Sequence, residues 1–93
     1  MARLVEITED MDAAAMTRLK PLFEELGGGA DDVTLDLSAV EFIDSSGIGG
    51  IVFLYKRLRI AGRKLRLRGA SGQPLQLITH LRLSDLVENG RKA

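Results

Sequence analysis

Three neighbouring polar side chains stand where an apolar strand gives way to a helix. Asp44, Ser45 and Ser46 follow the pair Phe42-Ile43 and precede a long apolar stretch. A serine at a helix start can cap the helix, by accepting a hydrogen bond from a first-turn amide. The same position suits a phosphate, because free amides and the helix dipole both favour negative charge there. Local physics favours the cap, and either serine could also carry a phosphate.

Other side chains give weaker indications of chemistry. Asp10, Asp12 and Asp44 could meet at one end of a sheet and bind a metal ion, but a solvated loop and a helix cap are the simpler interpretation. His80 is the only histidine and has no visible partner. A serine without a neighbouring base is not a nucleophile. We therefore expect no enzyme, no metal site and no cofactor.

Composition limits the class of protein. The 93 residues are enough for one small domain, and 45% hydrophobic residues are enough for its core. There is no cysteine, which excludes disulfides and thiol chemistry. The sequence shows neither a signal-peptide pattern nor an apolar run of membrane-spanning length. We expect a soluble cytoplasmic protein without a membrane span.

The net charge is zero, but the charge is divided along the chain. Residues 1–44 carry 11 acidic and 3 basic side chains, whereas residues 45–93 carry 2 acidic and 10 basic ones. Either the two halves neutralise each other within one fold, or the basic side chains form a face for an acidic partner, lipid head groups or nucleic acid. The basic run 56–68 lacks stacking aromatic residues and any groove-reading motif, so we expect no nucleic-acid binding.

Hydrophobic patterns predict a small α/β domain. Alternation predicts strands at residues 3–8, 33–37 and 64–68, with a last strand or turn at 83–87. Helices are expected at residues 13–26, 46–61 and 74–81. Strand–helix alternation implies right-handed crossovers, and the polar alternate positions imply one open face. We predict an open sheet of three or four mainly parallel strands, with helices on one face and a frayed end at 89–93.

Two details give further expectations. Pro21 should kink the first helix or restart it, because proline removes one backbone hydrogen bond. On the open face of the sheet, Asp36 and Arg66 could lie across neighbouring strands as an opposite-charge pair.

The helix at 46–61 carries apolar residues on two sides. The stripe expected to pack on the sheet comprises Ile48, Ile51, Val52, Tyr55 and Leu58. The opposite side holds Gly49, Phe53 and Ile60, with Gly50, Lys56 and Arg57 beside them. Either another helix or the tail covers this side, or it is a docking surface in which glycines allow close approach and Phe53 is the anchor.

The sequence around the serines resembles a known family. Residues 35–49 read Leu-Asp-Leu-Ser-Ala-Val-Glu-Phe-Ile-Asp-Ser-Ser-Gly-Ile-Gly. This stretch closely resembles STAS domains, and most of all the bacterial anti-sigma factor antagonists of the SpoIIAA and RsbV kind. In those proteins Asp-Ser-Ser-Gly-(Leu/Ile)-Gly precedes the central helix. The resemblance extends over about residues 4–88, and we expect residues 1–93 to form a single STAS domain.

The resemblance implies a phosphorylation switch. Ser45, the first serine after the aspartate, would be modified by an anti-sigma factor kinase of the histidine-kinase-like ATPase type, with Ser46 as the alternative. A PP2C-type phosphatase would reverse the modification. The dephosphorylated protein would bind the anti-sigma factor and free the sigma factor. The expected partner-binding residues are Asp44, Ser46, Gly47, Gly49, Gly50, Phe53, Lys56, Arg57 and Ile60.

A second role is also compatible with the resemblance. Compact STAS proteins similar to MlaB are subunits of phospholipid-transport ABC systems, in which the central helix contacts the ATPase. A threonine often stands at the phosphosite position in those subunits. The Ser45-Ser46-Gly47 sequence favours the sigma-factor pathway.

Overall fold

The computed structural model describes residues 2–88, so the frayed end expected at 89–93 lies outside the described residues. Strands and helices alternate along the chain. The strands are β1 Ala2–Glu6, β2 Asp32–Asp36, β3 Leu65–Arg68 and β4 Val87–Glu88. The helices are α1 Ala13–Gly27, α2 Ser45–Ile60 and α3 Gly72–His80, and a 3₁₀ turn at Ser84–Leu86 precedes β4. No helix within 2–88 has both the length and the apolar character needed to cross a membrane.

The four strands form one parallel sheet in the order β1-β2-β3-β4. Right-handed crossovers that always step in the same direction place their helices on the same side of a sheet. The core agrees with this rule, because the inward side chains of β2 and β3 are buried together with side chains from α1, α2 and α3. The predicted α/β fold, with parallel strands and helices on one face, is confirmed.

The other face of the sheet is open. Arg66 and Arg68 are exposed and alternate with buried leucines along β3. The register places Asp36 opposite Arg68. The predicted pairing of Asp36 with Arg66 is therefore wrong, because Arg66 lies two residues earlier in β3. Asp36 accepts hydrogen bonds from the hydroxyl and the backbone N–H of Ser38. These bonds lower the pKa of the Asp36 carboxyl, and the charge of Arg68 acts in the same direction.

Helix α1 continues through Pro21, so the restart that proline could have caused does not occur. Asp12 caps the helix, accepting from the Ala15 N–H at 2.9 Å. Pro21 lies on the exposed side, while Ala15 before it and Phe23 after it are buried. Both halves of α1 are therefore held on the same core, which outweighs the loss of one hydrogen bond.

A positively charged side chain from the basic half of the chain binds the C-terminal end of α1. Arg63 donates from Nη2 to the Leu26 carbonyl at 2.8 Å and from Nη1 to the Gly27 carbonyl at 3.1 Å. Its Nε donates to the Asp31 carbonyl at 2.8 Å. Carbonyls at a helix end attract positive charge, because they lack helical N–H partners and lie at the negative end of the dipole. This contact joins the oppositely charged halves within one fold.

Arg63→Ala should lower the free energy of unfolding by about 2–3 kcal/mol, because three carbonyls lose a charged donor. Arg63→Lys should recover less than half of that loss, since one ammonium cannot span three separate acceptors. Arg59→Ala, at an exposed position of α2, is the control and should cost less than about 1 kcal/mol. Urea unfolding of the three variants checks this prediction, and equal midpoints for Arg63→Ala and Arg59→Ala would contradict it.

The buried side of α2 is rotated from the stripe predicted for it. Ile51 and Leu58 are fully buried as expected, but the third fully buried large side chain is Leu54, which the prediction omitted. The helix packs against α1 as well as against the sheet, and this second contact draws Leu54 inward. The remaining members of the predicted stripe are only half-buried: Ile48, Val52 and Tyr55.

Candidate functional site

The loop before α2 is tied to the loop before α1 at the edge where the parallel strands end. The Met11 N–H donates to the Phe42 carbonyl at 2.9 Å, and the Asp44 N–H donates to the Met11 carbonyl at 3.2 Å. These two bonds form a parallel bridge between Met11 and Ile43. The start of α2 is therefore fixed against the loop before α1.

The three carboxylates considered as metal ligands serve backbone amides instead. Asp10 accepts from the Glu41 and Phe42 N–H groups at 2.8 and 3.2 Å. Asp12 and Asp44 each cap a helix. In the part of the chain that the structure describes, no three histidine or acidic side chains come together as ligands of one metal ion.

Asp44 is the N-cap of α2. Its Oδ1 accepts from the Ser46 N–H at 2.8 Å and from the Gly47 N–H at 3.1 Å. The predicted cap by Ser45 or Ser46 is therefore wrong. The carboxylate reaches two first-turn amides, and its negative charge suits the positive end of the helix. Both serines lie on the exposed first turn of α2, and neither side chain makes the cap.

Gly47 lies at the closest contact between α2 and the loop before α1. A Cβ at this position would stand 2.5 Å from the Met11 carbonyl oxygen and 2.7 Å from the Ile43 Cγ2. Gly47 is buried, and its contact with a partner stays a prediction. Its role is to let the start of α2 approach the loop before α1.

Two adjacent glycines further along α2 have different surroundings. At Gly50 a Cβ would stand 2.3 Å from Met16 Cε, the end of a flexible side chain, and 3.4 Å from Phe23 Cε2, so α1 packs closely on this glycine. Gly49 is exposed, and a Cβ there would have no neighbour within 4 Å. Glycine inside a helix costs about 0.5–1 kcal/mol relative to alanine. Nothing in the described fold requires glycine at position 49.

Phe53 forms one wall of a cleft between α1 and α2. Its side of the helix is partly covered by α1, but Phe53 remains 37% exposed and Ile60 remains 85% exposed. The guanidinium of Arg57 lies over the Phe53 ring, 5.5 Å from its centroid, at a distance typical of a cation–π contact. The cleft has a volume of about 190 Å³ and is lined by Met16, Lys20, Phe23, Glu24, Ser46, Gly50 and Phe53.

Exposed residues spaced three or four apart form a continuous stripe on α2. We call this stripe the α2 surface. Its members are Ser46, Gly49, Phe53, Lys56, Arg57 and Ile60. Ser45 borders it, one turn before Gly49. Of the remaining residues expected to contact a partner, Asp44 and Gly50 are half-buried.

Comparison with known proteins identifies the family. A family model of the STAS domain matches residues 2–92. The chain belongs to the STAS family. Comparison with curated proteins finds no match.

Two solved structures share the STAS fold of this chain. A candidate anti-sigma factor antagonist from Thermotoga maritima superimposes with a TM-score of 0.83 at 23% identity, covering 95% of this chain and 77% of that one. A sulfate transporter family protein from Wolinella succinogenes has a TM-score of 0.76 at 18% identity, covering 92% of this chain and 75% of that one. At these identities the likeness is evidence of a common fold.

Two residues of this STAS domain near the serines escaped sequence reasoning. Phe42 is 45% exposed, whereas the next residue, Ile43, is fully buried. Neighbouring residues in an extended segment point to opposite sides, so this pair could have indicated that Phe42 faces outward. Gln73 binds both backbone polar groups of Ile43 at 2.9 Å. No local pattern reveals that contact, because 30 residues separate the partners.

Proposed function

We propose that this single STAS domain is an anti-sigma factor antagonist that acts as a binding switch in the cytoplasm. The dephosphorylated protein binds an anti-sigma factor of the histidine-kinase-like ATPase type and so frees a sigma factor. The partner phosphorylates Ser45, and a PP2C-type phosphatase removes the phosphate. The protein itself performs no catalysis and needs no cofactor.

The observation that carries the proposal is the combination of Gly49 with Phe53 on the α2 surface. Gly49 has open space around it and no role in packing, although glycine weakens the helix. Phe53 lies one turn further on and is partly exposed. A site without a side chain, next to an exposed ring, allows the backbone of a partner to approach closely while the ring supplies apolar contact. This arrangement supports a protein partner for the α2 surface.

The charge distribution along α2 supports a partner rather than a bare surface. The first turn follows Glu41 and Asp44, and the last two turns carry Lys56, Arg57 and Arg59. Charges of opposite sign near the two ends of α2 restrict the orientation in which a complementary surface can bind. Such a pattern favours one docked arrangement over general adhesion.

Phe53→Ala should weaken binding of the anti-sigma factor about 30-fold, because a central aromatic anchor is worth about 2 kcal/mol or more. The fold should remain intact, since the side chain is partly exposed. Isothermal titration with a purified candidate anti-sigma factor kinase measures the effect. Leu4→Ala is the matched control, because Leu4 is an exposed apolar residue on the open face of the sheet and its loss should leave binding unchanged.

Two results would contradict this reading. Failure of the wild-type protein to bind any candidate anti-sigma factor kinase, together with binding to a transport ATPase, would assign the α2 surface to a transport complex. A loss of stability in Phe53→Ala as large as that in Leu54→Ala would make Phe53 part of the core.

A further inference from the structure

The side chain of Gln73 pairs with the backbone of Ile43 as a neighbouring strand would. Its Oε1 accepts from the Ile43 N–H and its Nε2 donates to the Ile43 carbonyl, both at 2.9 Å. On the other side, Met11 bonds to the polar groups of the two residues that flank Ile43. Ile43 is therefore held like a strand one residue long, with a bonded neighbour on each side.

Gln73 is anchored by the core rather than by the loop that it holds. It is the second residue of α3, and the next residue, Pro74, is buried. One turn further along the helix, Ile78 is fully buried. The carboxamide therefore extends from a fixed helix start, across 30 residues of sequence, to the loop before α2.

The backbone N–H and carbonyl of Ile43 are poorly placed to bond to water instead of Gln73. The Ile43 side chain is fully buried, and both bonds to Gln73 are partly buried. A buried N–H or carbonyl without a partner is unfavourable, so loss of the carboxamide should make the loop move until water reaches Ile43. Asp44 follows directly, and its carboxylate must stay in place to cap the amides of Ser46 and Gly47.

We propose that Gln73 is a positioning residue of the switch. By holding Ile43 between α3 and Met11, it keeps the start of α2 in one arrangement and presents Ser45 and Ser46 outward in a fixed orientation. This inference rests on the proposed function and deepens it, because partner and kinase then meet a preorganised loop and need not order it on binding.

The first test is made on the isolated protein and needs no partner. In Gln73→Ala, exchange of the Ile43 amide hydrogen should speed up at least about 10-fold, because its acceptor is gone. The control is Gln76→Ala, an exposed glutamine on the same helix, in which the Ile43 amide should exchange as in the wild type. Unchanged exchange at Ile43 in Gln73→Ala would overturn the inference.

Gln73→Glu separates hydrogen bonding from packing. The ionised carboxylate can accept from the Ile43 N–H but cannot donate to the Ile43 carbonyl, whereas the protonated carboxyl can do both. Bonding to the neutral form should raise the pKa of this carboxyl above its ordinary value of about 4.3. Because the folded-state pKa is the higher one, the benefit is present at low pH and is lost as pH rises through it.

The measurement for this variant is its melting temperature relative to that of Gln76→Glu. The difference in melting temperature between the two variants should be smaller at pH 4.5 than at pH 7. The control residue, Gln76, lines the same shallow groove as Gln73, whereas the bonds to Ile43 come from Gln73. A difference that does not change with pH would overturn the bidentate role.

Partner binding then tests positioning itself. Gln73→Ala should bind the anti-sigma factor about 10-fold more weakly than Gln76→Ala, because the loop must be ordered on binding. If the wild type binds and Gln73→Ala binds equally well despite a loosened loop, the positioning role is wrong. If the wild type binds no anti-sigma factor, the proposed function fails, and the role of Gln73 in the switch fails with it.

Discussion

Gly47→Ala should lower the free energy of unfolding by about 3 kcal/mol or more, whereas Gly49→Ala should raise it by about 0.5–1 kcal/mol. The two positions are two residues apart in one helix, so differences in helix propensity cancel between them. At Gly47 the added Cβ would stand 2.5 Å from the Met11 carbonyl oxygen, which is backbone and cannot rotate away. At Gly49 it would stand in open space.

Chemical unfolding of both variants, followed by circular dichroism, measures the two changes in stability. Gly47→Ala should also loosen the Met11–Ile43 bridge, which is visible as faster exchange of the Asp44 amide hydrogen. A Gly47→Ala protein as stable as the wild type would show that the contact can relax, and would remove the structural reason for glycine. Gly49→Ala also tests partner binding. If this variant binds its partner more weakly while its stability is unchanged or greater, the loss of binding must arise at the α2 surface.

Ser45→Asp should weaken binding of the anti-sigma factor by at least about 100-fold, or about 2.7 kcal/mol. Ser45 borders the α2 surface, one turn before Gly49, where a partner would lie closest. The amides of Ser46 and Gly47, which could otherwise stabilise an added anion, already bind the Asp44 carboxylate. A second negative charge must therefore compete with Asp44 for them or face the partner directly.

A phosphate carries about −1.5 to −2 charges, so the effect of aspartate is a lower bound for that of phosphorylation. Ser45→Ala should bind like the wild type and escape control by the kinase. Incubation with the candidate kinase and ATP, followed by mass spectrometry, maps the modified residue. Phosphate on Ser46, or none with an active cognate kinase, would contradict the assignment to Ser45. Binding of Ser45→Asp as tight as that of the wild type would contradict the charge mechanism.

The parts of this fold that follow from local patterns could be predicted from the sequence. Alternation at 64–68 predicted a strand with one exposed face, and the helix expected at 13–26 matches α1 to within one residue. Asp36 lies opposite Arg68 because of the register between β2 and β3. That register cannot be read from the pattern of either strand alone. Leu54 lies inside because α1 packs beside α2, a contact that the helical pattern alone cannot include.

The candidate site was predictable in outline but not in its bonding. Three adjacent polar residues could each have capped α2, and the choice depends on where the Met11–Ile43 bridge places the chain before the helix. Asp44 is the residue at that point, and its negative charge suits the positive end of the helix. The contact of Gln73 with Ile43 joins segments far apart in sequence, so only the folded chain shows it.

The sequential strand order has a consequence for the order in which the protein is made. Each β–α–β unit pairs with the one before it, so the sheet can grow from the amino-terminal end while the ribosome is still adding residues. The loop that presents Ser45 cannot be completed in that way. It takes one neighbour from Met11, early in the chain, and the other from Gln73, after β3. If the proposed function holds, a nascent chain would become competent to bind its partner only after α3 has emerged and docked.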